Sequence, residues 1–313
     1  MKYFLLLCVS YFYLFADAHV FVYHRFGDDR HQSTNTTLKE LEKEFNYFKD
    51  KGYKVVPMSD IVNKVKNKEK VPDNWVAFNI DDSYKSFYTN GLPLFKKFNY
   101  PFTLFIYVEA TEKKYSDFMT WDEIKEASKY GEISLHSYGH HHLTHLSNEQ
   151  IINDTKKSYD IFVNKLGFKP KGYVYPYGEY DQRVKTQIKS FGFDYIANQS
   201  SGSVNHKSDV FDLNRVALVG KVNLKQKLKY KTLEAQWIEP KAYPADGILK
   251  RVKVKVDPNI KNIKLYLSTY GWQDIKVKDG IIDVILNKRL KLSRSRVAIS
   301  PDYYTISSKL LIK

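Results

Sequence analysis

Short apolar runs alternate with longer stretches of helical periodicity through the first two-thirds of the chain. His19–Tyr23 is predicted to be a buried strand, and apolar residues spaced three and four apart from Leu38 to Phe48 predict an amphipathic helix over residues 37–51. Repeated alternation of this kind indicates an α/β fold, a parallel sheet with outer helices that is open or closed into a barrel. The further predicted strands span residues 54–56, 76–80, 103–108, 133–135, 172–175, 195–197 and 216–219, and the further helices 91–98, 121–129, 148–166 and 181–191.

The pattern changes at about residue 235, where short apolar runs follow one another without a helical stretch between them. Turn signals such as Asp257-Pro258-Asn259 and Lys278-Asp279-Gly280 separate these runs. This arrangement predicts a small all-β sandwich over residues 235–313, appended to an α/β domain over residues 19–230. The predicted strands of the sandwich span residues 249–256, 263–268, 274–277, 281–286, 296–299 and 307–312.

The first eighteen residues differ from the rest of the chain. Lys2 precedes an almost wholly apolar run over residues 3–15, and Ala16-Asp17-Ala18 places small residues where a signal peptidase cleaves. We interpret residues 1–18 as a signal peptide cleaved after Ala18, which predicts a secreted or periplasmic protein, with an uncleaved anchor as the alternative. Cys8, the one cysteine, lies inside this segment, so the mature protein would have neither disulfides nor thiolate ligands.

Composition and charge refine this picture. Apolar residues make up 43% and aromatic residues 15% of the chain, enough for a packed core rather than disorder. The net charge of +15 is concentrated at one end, because residues 221–313 hold 21 of the 50 Lys and Arg but only 8 of the 35 Asp and Glu. Such a basic region favours an anionic polymer or an envelope surface as partner, although generally lysine-rich composition explains it equally well. Secretion argues against nucleic acid as a partner.

Two adjacent carboxylates, Asp81 and Asp82, follow the apolar run that begins at Val76. Adjacent side chains leaving a strand point in different directions, so one carboxylate can bind a metal ion while its neighbour acts as a base. Paired aspartates also form turns and cap helices, and this alternative stays open for the pair taken alone.

Two histidines, His136 and His140, follow the strand predicted at residues 133–135. Three residues separate them, a spacing that brings both rings to one side of a helical turn or tight loop, where they can meet one ion. Three more histidines, His141, His142 and His145, thicken the cluster. The alternative is a surface histidine run with incidental metal affinity.

A third group of residues, Val174-Tyr175-Pro176-Tyr177-Gly178, closes another predicted strand. Proline fixes the backbone and glycine permits a turn, so Tyr177 can present a rigid N–H and an aromatic face, although the segment by itself is an ordinary turn. Together, two imidazoles, one carboxylate and a free carboxylate beside them are the groups needed for metal-assisted hydrolysis. The ion lowers the pKa of water and polarises a carbonyl, while the base takes the proton.

The ordered set of Asp-Asp, His-Ser-x-x-His and Pro-Tyr-Gly resembles the polysaccharide deacetylases with a NodB-homology domain, carbohydrate esterase family four. The resemblance covers roughly residues 20–219 and implies a distorted (β/α) barrel that removes N-acetyl, or sometimes O-acetyl, groups from a glycan. It implies Asp81 as general base and Asp82, His136 and His140 as ligands of a divalent ion, Zn²⁺ first, with Fe, Co or Ni as alternatives. It also implies that the Tyr177 backbone N–H stabilises the oxyanion. We further assign Pro176 and Arg215 to substrate or oxyanion binding.

The chain departs from the family pattern at two functional positions. The arginine expected before Pro-Tyr-Gly is Val174, so the group that usually steadies the base is missing or comes from elsewhere. The late Leu-x-His motif, which supplies the general acid, is absent. The segment Val22-Tyr23-His24 is similar to the permuted branch that includes poly-N-acetylglucosamine deacetylases. A barrel brings its first and last strands together, so His24 is predicted to protonate the leaving amine, with fixing of the N-terminal loop as the structural alternative.

The leading interpretation is therefore a metal-dependent hydrolase that deacetylates a cell-surface or exported polysaccharide. One alternative is a glycan-binding protein on a deacetylase fold that has lost catalysis, which the residue at position 174 and the missing late histidine support. Another is a hydrolase that acts on a non-sugar amide.

Overall fold

The computed structural model describes residues 17–313. The predicted signal peptide therefore lies outside the described residues except for its last two positions. Ala18 exchanges two backbone hydrogen bonds with Val204, at 2.9 and 2.8 Å, and the Asp17 carboxylate accepts a hydrogen bond of 2.7 Å from the Ser203 hydroxyl. Between residues 17 and 313, no helix has both the length and the apolar character needed to cross a membrane.

The predicted parallel sheet is confirmed. Its strands follow the spatial order β10-β1-β5-β6-β7-β8-β9, with β4 on a side branch against β5, and every pairing is parallel. A separate short pair, β2 and β3, is also parallel. The strands are β1 His19–Tyr23, β2 Arg25–Phe26, β3 Asn35–Thr36, β4 Lys54–Val55, β5 Trp75–Ile80, β6 Thr103–Ile106, β7 Glu132–Leu135, β8 Gly172–Val174, β9 Tyr195–Ala197 and β10 Val216–Ala217.

The segment over residues 213–217, which contains β10, forms hydrogen bonds with both β9 and β1. Leu213 exchanges backbone hydrogen bonds with Ile196 and Asn198 beside β9, at 3.0 and 2.9 Å. A few residues later, Val216 pairs with Phe21 of β1. The first and last strands are therefore neighbours, as a NodB-type barrel requires, and all carboxyl ends of the strands face one edge.

Helices cover the sheet, and the predicted helix over residues 37–51 is confirmed as the first of them. The Thr37 hydroxyl caps it by accepting a hydrogen bond from the Glu40 N–H at 3.2 Å, and its buried apolar side chains pack on the sheet. The structure corrects one prediction, because the strand predicted over residues 103–108 ends at Ile106 and a helix follows. It also adds two helices, α2 and α8, that were not predicted. The helices are α1 Leu38–Asp50, α2 Met58–Lys66, α3 Leu92–Phe98, α4 Val108–Glu112, α5 Trp121–Ala127, α6 Asn148–Leu166, α7 Gln182–Lys189 and α8 Leu224–Lys227.

The last 83 residues, which we call the C-terminal region (residues 231–313), form two sheets over a shared apolar core. One sheet has the order β11-β18-β17-β14-β15 and the other β12-β13-β16. The first begins at Lys231, four residues before the predicted boundary, because β11 pairs with β18. Two short strands, β11 and β12, were not predicted. The strands are β11 Lys231–Thr232, β12 Gln236–Glu239, β13 Ile248–Lys255, β14 Asn262–Leu267, β15 Gly271–Lys276, β16 Ile281–Arg289, β17 Arg294–Ser300 and β18 Thr305–Ile312.

Candidate active site

Three side chains that follow β5 and β7 bring their metal-binding atoms to one point. The Nε2 atoms of His136 and His140 lie 3.3 and 3.1 Å from Oδ1 of Asp82, and 3.2 Å from each other. Asp82 and His136 are buried, whereas 17% of the His140 side chain is exposed. The structure thus brings together the three residues predicted as metal ligands, at a point that solvent can reach beside His140.

The separations fit a bound ion. Ligands about 2.0–2.1 Å from a tetrahedral Zn²⁺ lie roughly 3.3–3.4 Å from one another, close to the distances found here. Although both imidazoles are near, Oδ1 of Asp82 has no partner in hydrogen-bonding geometry within residues 17–313, an arrangement that is costly for a buried carboxylate oxygen. Two imidazoles and a carboxylate suit Zn²⁺ and the neighbouring first-row divalent ions.

The charges around the three ligands also favour a cation. Burial opposes the ionisation of Asp82, but His136 and His140 outweigh it and hold the pKa of Asp82 well below its usual range. Burial opposes the protonation of His136, yet Asp82 and Asp81 outweigh it and raise the pKa of His136. Arg215 pairs with Asp81, so Asp82 is the buried carboxylate whose charge a divalent cation would balance.

The histidine loop is oriented by groups around it. Nδ1 of His136 lies 2.9 Å from the Val174 carbonyl, which fixes the proton on Nδ1 and leaves the lone pair of Nε2 facing the site. The carboxylate of Asp154, on α6, accepts hydrogen bonds from the Tyr138 and Gly139 N–H groups at 2.9 and 2.8 Å. Sequence reasoning missed Asp154. Its signal is a carboxylate on the otherwise buried face of an amphipathic helix.

Asp81 is held by Arg215, the arginine that the sequence assigned to substrate or oxyanion binding. Its guanidinium donates two hydrogen bonds to Asp81, from Nη1 to Oδ1 at 2.7 Å and from Nη2 to Oδ2 at 2.9 Å, and a third to the Asn198 carbonyl at 2.8 Å. Both side chains are fully buried, and the guanidinium hydrogen bonds of Arg215 go to Asp81 and to the Asn198 carbonyl. Burial opposes the ionisation of Asp81, but Arg215 outweighs it and lowers the pKa of Asp81. The arginine missing at position 174 is thus supplied from the segment before β10.

The structure places His24 in the same cluster, at the end of β1. Burial lowers the pKa of His24, and the nearby charges of Asp82 and Asp81 oppose that shift. Nδ1 of His24 is buried and has no hydrogen-bond partner among residues 17–313. A histidine from the first strand therefore stands beside both carboxylates, as closure of the sheet through residues 213–217 permits.

The Pro-Tyr-Gly segment forms a single turn of 3₁₀-helix, Pro176–Gly178, that presents Tyr177 at the rim of the site. Tyr177 adopts the left-handed conformation, with φ 60° and ψ 5°, and 38% of it is exposed. Its ring lies 4.6 Å from that of His140 and stacks on His142 at 4.2 Å. Pro176 is buried beneath the turn. The tyrosine predicted to bind the oxyanion is therefore next to His140, one of the three predicted metal ligands.

The other histidines of the cluster do not join the metal-binding triad. Nδ1 of His142 lies 2.6 Å from the buried carboxylate of Glu179, and Nε2 of His145 lies 2.9 Å from the Lys313 carbonyl. The ring of His141 packs against Gly139. These three residues line the outside of the loop rather than the site.

A second group of metal-ligand types, Asp28, His31 and Asp117, lies nearby. Its carboxylates are already neutralised, because Arg25 and Arg30 both donate to Asp28 at 2.7–3.0 Å and both contact Asp117. The Arg30 and Arg25 guanidinium groups lower the pKa of Asp28 to about 2, against the opposing effect of burial. We assign this group to structural ion pairing.

Aromatic rings continue from the triad along one side of the site. The Tyr107 ring lies 5.3 Å from that of His140 and 5.5 Å from Phe118, which in turn lies 4.8 Å from Tyr84. We call Tyr84, Tyr107 and Phe118 the aromatic wall. All three are partly exposed, and the Arg25 guanidinium lies 3.6 Å over the Tyr84 ring.

The fold and the site together define an α/β domain of the NodB type. Residues 68–196 match the family model described as polysaccharide deacetylase. The solved structures similar to this chain include the Streptococcus pyogenes deacetylase PplD in complex with acetate (19% identity, TM-score 0.63, 68% of this chain and 98% of that one). They also include IcaB from Ammonifex degensii (21% identity, TM-score 0.59, 65% and 92%). At these identities, the likeness concerns the fold.

Among curated proteins, the chain is similar to the poly-beta-1,6-N-acetyl-D-glucosamine N-deacetylase of Escherichia coli K12. The two are 22% identical over 304 residues, which cover 81% of this chain and 45% of that protein. The chain thus spans less than half the length of this relative. The similarity to polysaccharide deacetylases thus rests on the family model over residues 68–196 and on the shared fold.

Proposed function

We propose that this protein is a metal-dependent hydrolase that removes N-acetyl groups from a polysaccharide of N-acetylglucosamine units. The observation that carries the proposal is the convergence of Asp82, His136 and His140 beside a second, ionised carboxylate, Asp81, held by Arg215. A metal triad with a separate oriented base is the arrangement that hydrolysis of an unactivated amide needs. The choice of polymer follows the name of the Escherichia coli relative.

In this mechanism, Asp82, His136 and His140 would hold a divalent ion, which would supply the Lewis acidity that polarises the acetyl carbonyl and makes water more acidic. Asp81 accepts the proton of the attacking water, and Arg215 keeps that carboxylate ionised and oriented. The Tyr177 N–H donates a hydrogen bond to the carbonyl oxygen as negative charge develops there. His24 protonates the departing nitrogen, so that the C–N bond breaks and acetate and a free amine leave.

The aromatic wall supports a sugar substrate. The C–H faces of pyranose rings pack on aromatic side chains. The Tyr107 ring lies 5.3 Å from the His140 ring, and the Phe118 ring lies 5.5 Å from the Tyr107 ring. A polymer lying along the wall would carry its acetamido group toward His140. A small non-sugar amide would leave most of this surface unused.

Two departures from the family pattern, Val174 and the missing late histidine, are the features that would favour a binding protein without catalysis. Arg215 holds Asp81, which compensates for the valine at position 174, and His24 lies close enough to Asp81 and Asp82 to interact with both charges. With both positions filled by other residues, the arrangement favours an enzyme.

We further propose that the chain divides near residue 230 and that the C-terminal region contacts an anionic polymer or envelope surface after export. The support is the excess of 17 Lys and Arg over 8 Asp and Glu in residues 231–313, together with the apolar segment at residues 3–15. Binding of the full chain to an anionic glycan should then weaken steeply with ionic strength. Salt-independent binding would contradict the electrostatic part of this proposal.

The deciding experiment is acetate release by the Zn²⁺-loaded protein from a panel of acetylated glycans. The panel contains β-1,6-linked and β-1,4-linked N-acetylglucosamine oligomers, peptidoglycan fragments and an O-acetylated xylan. We expect release from the β-1,6-linked oligomers and its loss in the Asp81→Asn and His136→Ala variants. Asp274→Asn, whose side chain is 86% exposed in the C-terminal region, is the matched control. Absence of release from every glycan by metal-loaded protein would refute the enzymatic proposal.

A further inference from the structure

We propose that Arg294, from β17 of the C-terminal region, is a positioning residue for the deacetylation site because it holds Tyr177 in place. This inference rests on the proposed function, since it concerns the same reaction. It assigns the C-terminal region a part in catalysis in addition to any contact with polymer.

Arg294 reaches across to the Pro-Tyr-Gly turn with two contacts. Its Nη2 donates a hydrogen bond to the Tyr177 carbonyl at 2.7 Å, and its Nε lies 3.4 Å from Oε1 of Glu179. The other carboxylate oxygen of Glu179 lies 2.6 Å from Nδ1 of His142, whose ring stacks on Tyr177 at 4.2 Å and 11°. These contacts form a closed circuit of four residues around the turn: Arg294, Glu179, His142 and Tyr177.

Tyr177 needs such support because its backbone conformation is unfavourable for a bulky residue. With φ at 60°, it occupies a region that non-glycine residues adopt only where their surroundings enforce it. On the inner side, the next residue, Gly178, packs so closely that a Cβ there would lie 2.6 Å from Cβ of Gln199. On the outer side, Arg294 supplies the hydrogen bond to the carbonyl.

The circuit also explains a buried carboxylate. Glu179 is only 2% exposed, and a carboxylate in that position requires cationic or hydrogen-bonding partners. Of its two partners here, His142 belongs to the deacetylase domain and Arg294 to the C-terminal region. The side chain of Arg294 is itself 46% exposed, so its truncation opens no cavity and should leave the protein folded.

The test compares Arg294→Ala and Arg294→Lys with a matched control, Arg251→Ala, in the full-length Zn²⁺-loaded protein. Arg251 also lies in the C-terminal region and also pairs with a carboxylate, Asp283, but that pair is on the surface. Because an oxyanion exists only in the transition state, we expect Arg294→Ala to lower kcat about 10-fold to 100-fold with KM within about 3-fold of wild type. Arg294→Lys should retain part of the activity, added guanidinium should restore part of it to Arg294→Ala, and Arg251→Ala should match wild type.

A second readout does not depend on activity. Amide hydrogen exchange of the segment 176–179 should be at least several-fold faster in Arg294→Ala than in wild type, with the sheet unchanged. If wild type deacetylates no glycan, the proposed function fails, while faster exchange would still support the positioning contact. Wild-type kcat and exchange in Arg294→Ala would overturn the inference. A loss of activity that guanidinium does not restore, with a lower melting temperature, would also overturn it by assigning Arg294 a merely structural role.

Discussion

Removal of the Arg215 guanidinium tests whether the buried ion pair holds Asp81 in the folded protein. Both side chains are fully buried and joined by two hydrogen bonds of 2.7 and 2.9 Å. Removing one partner of such a pair leaves an uncompensated charge in the interior, which costs about 3–5 kcal/mol. We therefore expect Arg215→Met and Asp81→Asn each to lower the free energy of unfolding by about 3–5 kcal/mol.

The double variant Arg215→Met/Asp81→Asn removes both charges, so its cost should be well below the sum of the two single costs. We expect a coupling energy of at least about 2 kcal/mol, measured by urea unfolding in the presence of a chelator so that metal binding does not contribute. The exposed pair of Arg251 and Asp283 is the matched control, and its coupling should be much weaker because solvent screens it. If the costs of Arg215→Met and Asp81→Asn are additive, the pair does not stabilise Asp81.

The same variant tests the proposed role of Asp81 in catalysis. At a temperature where Arg215→Met remains folded, we expect kcat for acetate release to fall about 10²-fold to 10⁴-fold, because the base loses its orientation. Metal content should stay at the wild-type level, since Arg215 contacts none of the triad. Wild-type kcat in Arg215→Met would contradict the assignment of Asp81 as an oriented base.

Four further outcomes are expected. Chelation should abolish acetate release, and Zn²⁺ should restore it and raise the melting temperature of wild type but not of His136→Ala. His24→Gln should lower kcat about 10²-fold to 10⁴-fold with metal content unchanged, and wild-type kcat would exclude it as the acid. The substitution Asp154→Asn replaces one of the two carboxylate oxygens that accept the Tyr138 and Gly139 N–H groups. The free energy of unfolding, measured by denaturant titration, should fall by about 1–3 kcal/mol. Burial raises the pKa of Glu44 to about 7, so the free energy of unfolding should fall by about 3 kcal/mol as pH rises from 4.5 to 7. Glu44→Gln should flatten this decline. The control Glu42→Gln, which removes an exposed carboxylate, should leave the decline unchanged.

The sequence predicted most of the sheet, and the convergence of Asp82, His136 and His140, for a physical reason. Parallel strands place their carboxyl ends at one edge of the sheet. The motifs that follow β5, β7 and β8 therefore lie at the same edge, independently of loop conformation. The helix α2 could also have been predicted, because Met58, Ile61, Val62 and Val65 have helical spacing and are all buried.

Other parts of the site carry no local signal. Arg215 and Asp81 are 134 positions apart, and their pairing depends on how the segment before β10 crosses from β9 to β1. The family resemblance indicated that a guanidinium was missing, but only the tertiary arrangement identifies which arginine supplies it. The contact of Arg294 with Tyr177 is similarly invisible, because it depends on how two separately patterned regions pack.

Residues with strained backbone conformations are concentrated at the candidate active site. We therefore expect activity to be lost before the domain unfolds. Of the twelve non-glycine residues with positive φ among residues 17–313, five belong to the three motifs: Asp82, Ser83, Ser137, His140 and Tyr177. Such conformations cost about 1–3 kcal/mol each and persist only where the surroundings enforce them. The apolar core enforces them from below, and individual polar contacts from Asp154 and Arg294 enforce them from the side. Loss of one such contact lowers the free energy of unfolding only slightly. It removes much of what holds the strained residue in its conformation, however, so that residue can relax to a more favourable φ. Variants of these supporting residues should therefore lose deacetylation at temperatures where the sheet and its core remain folded.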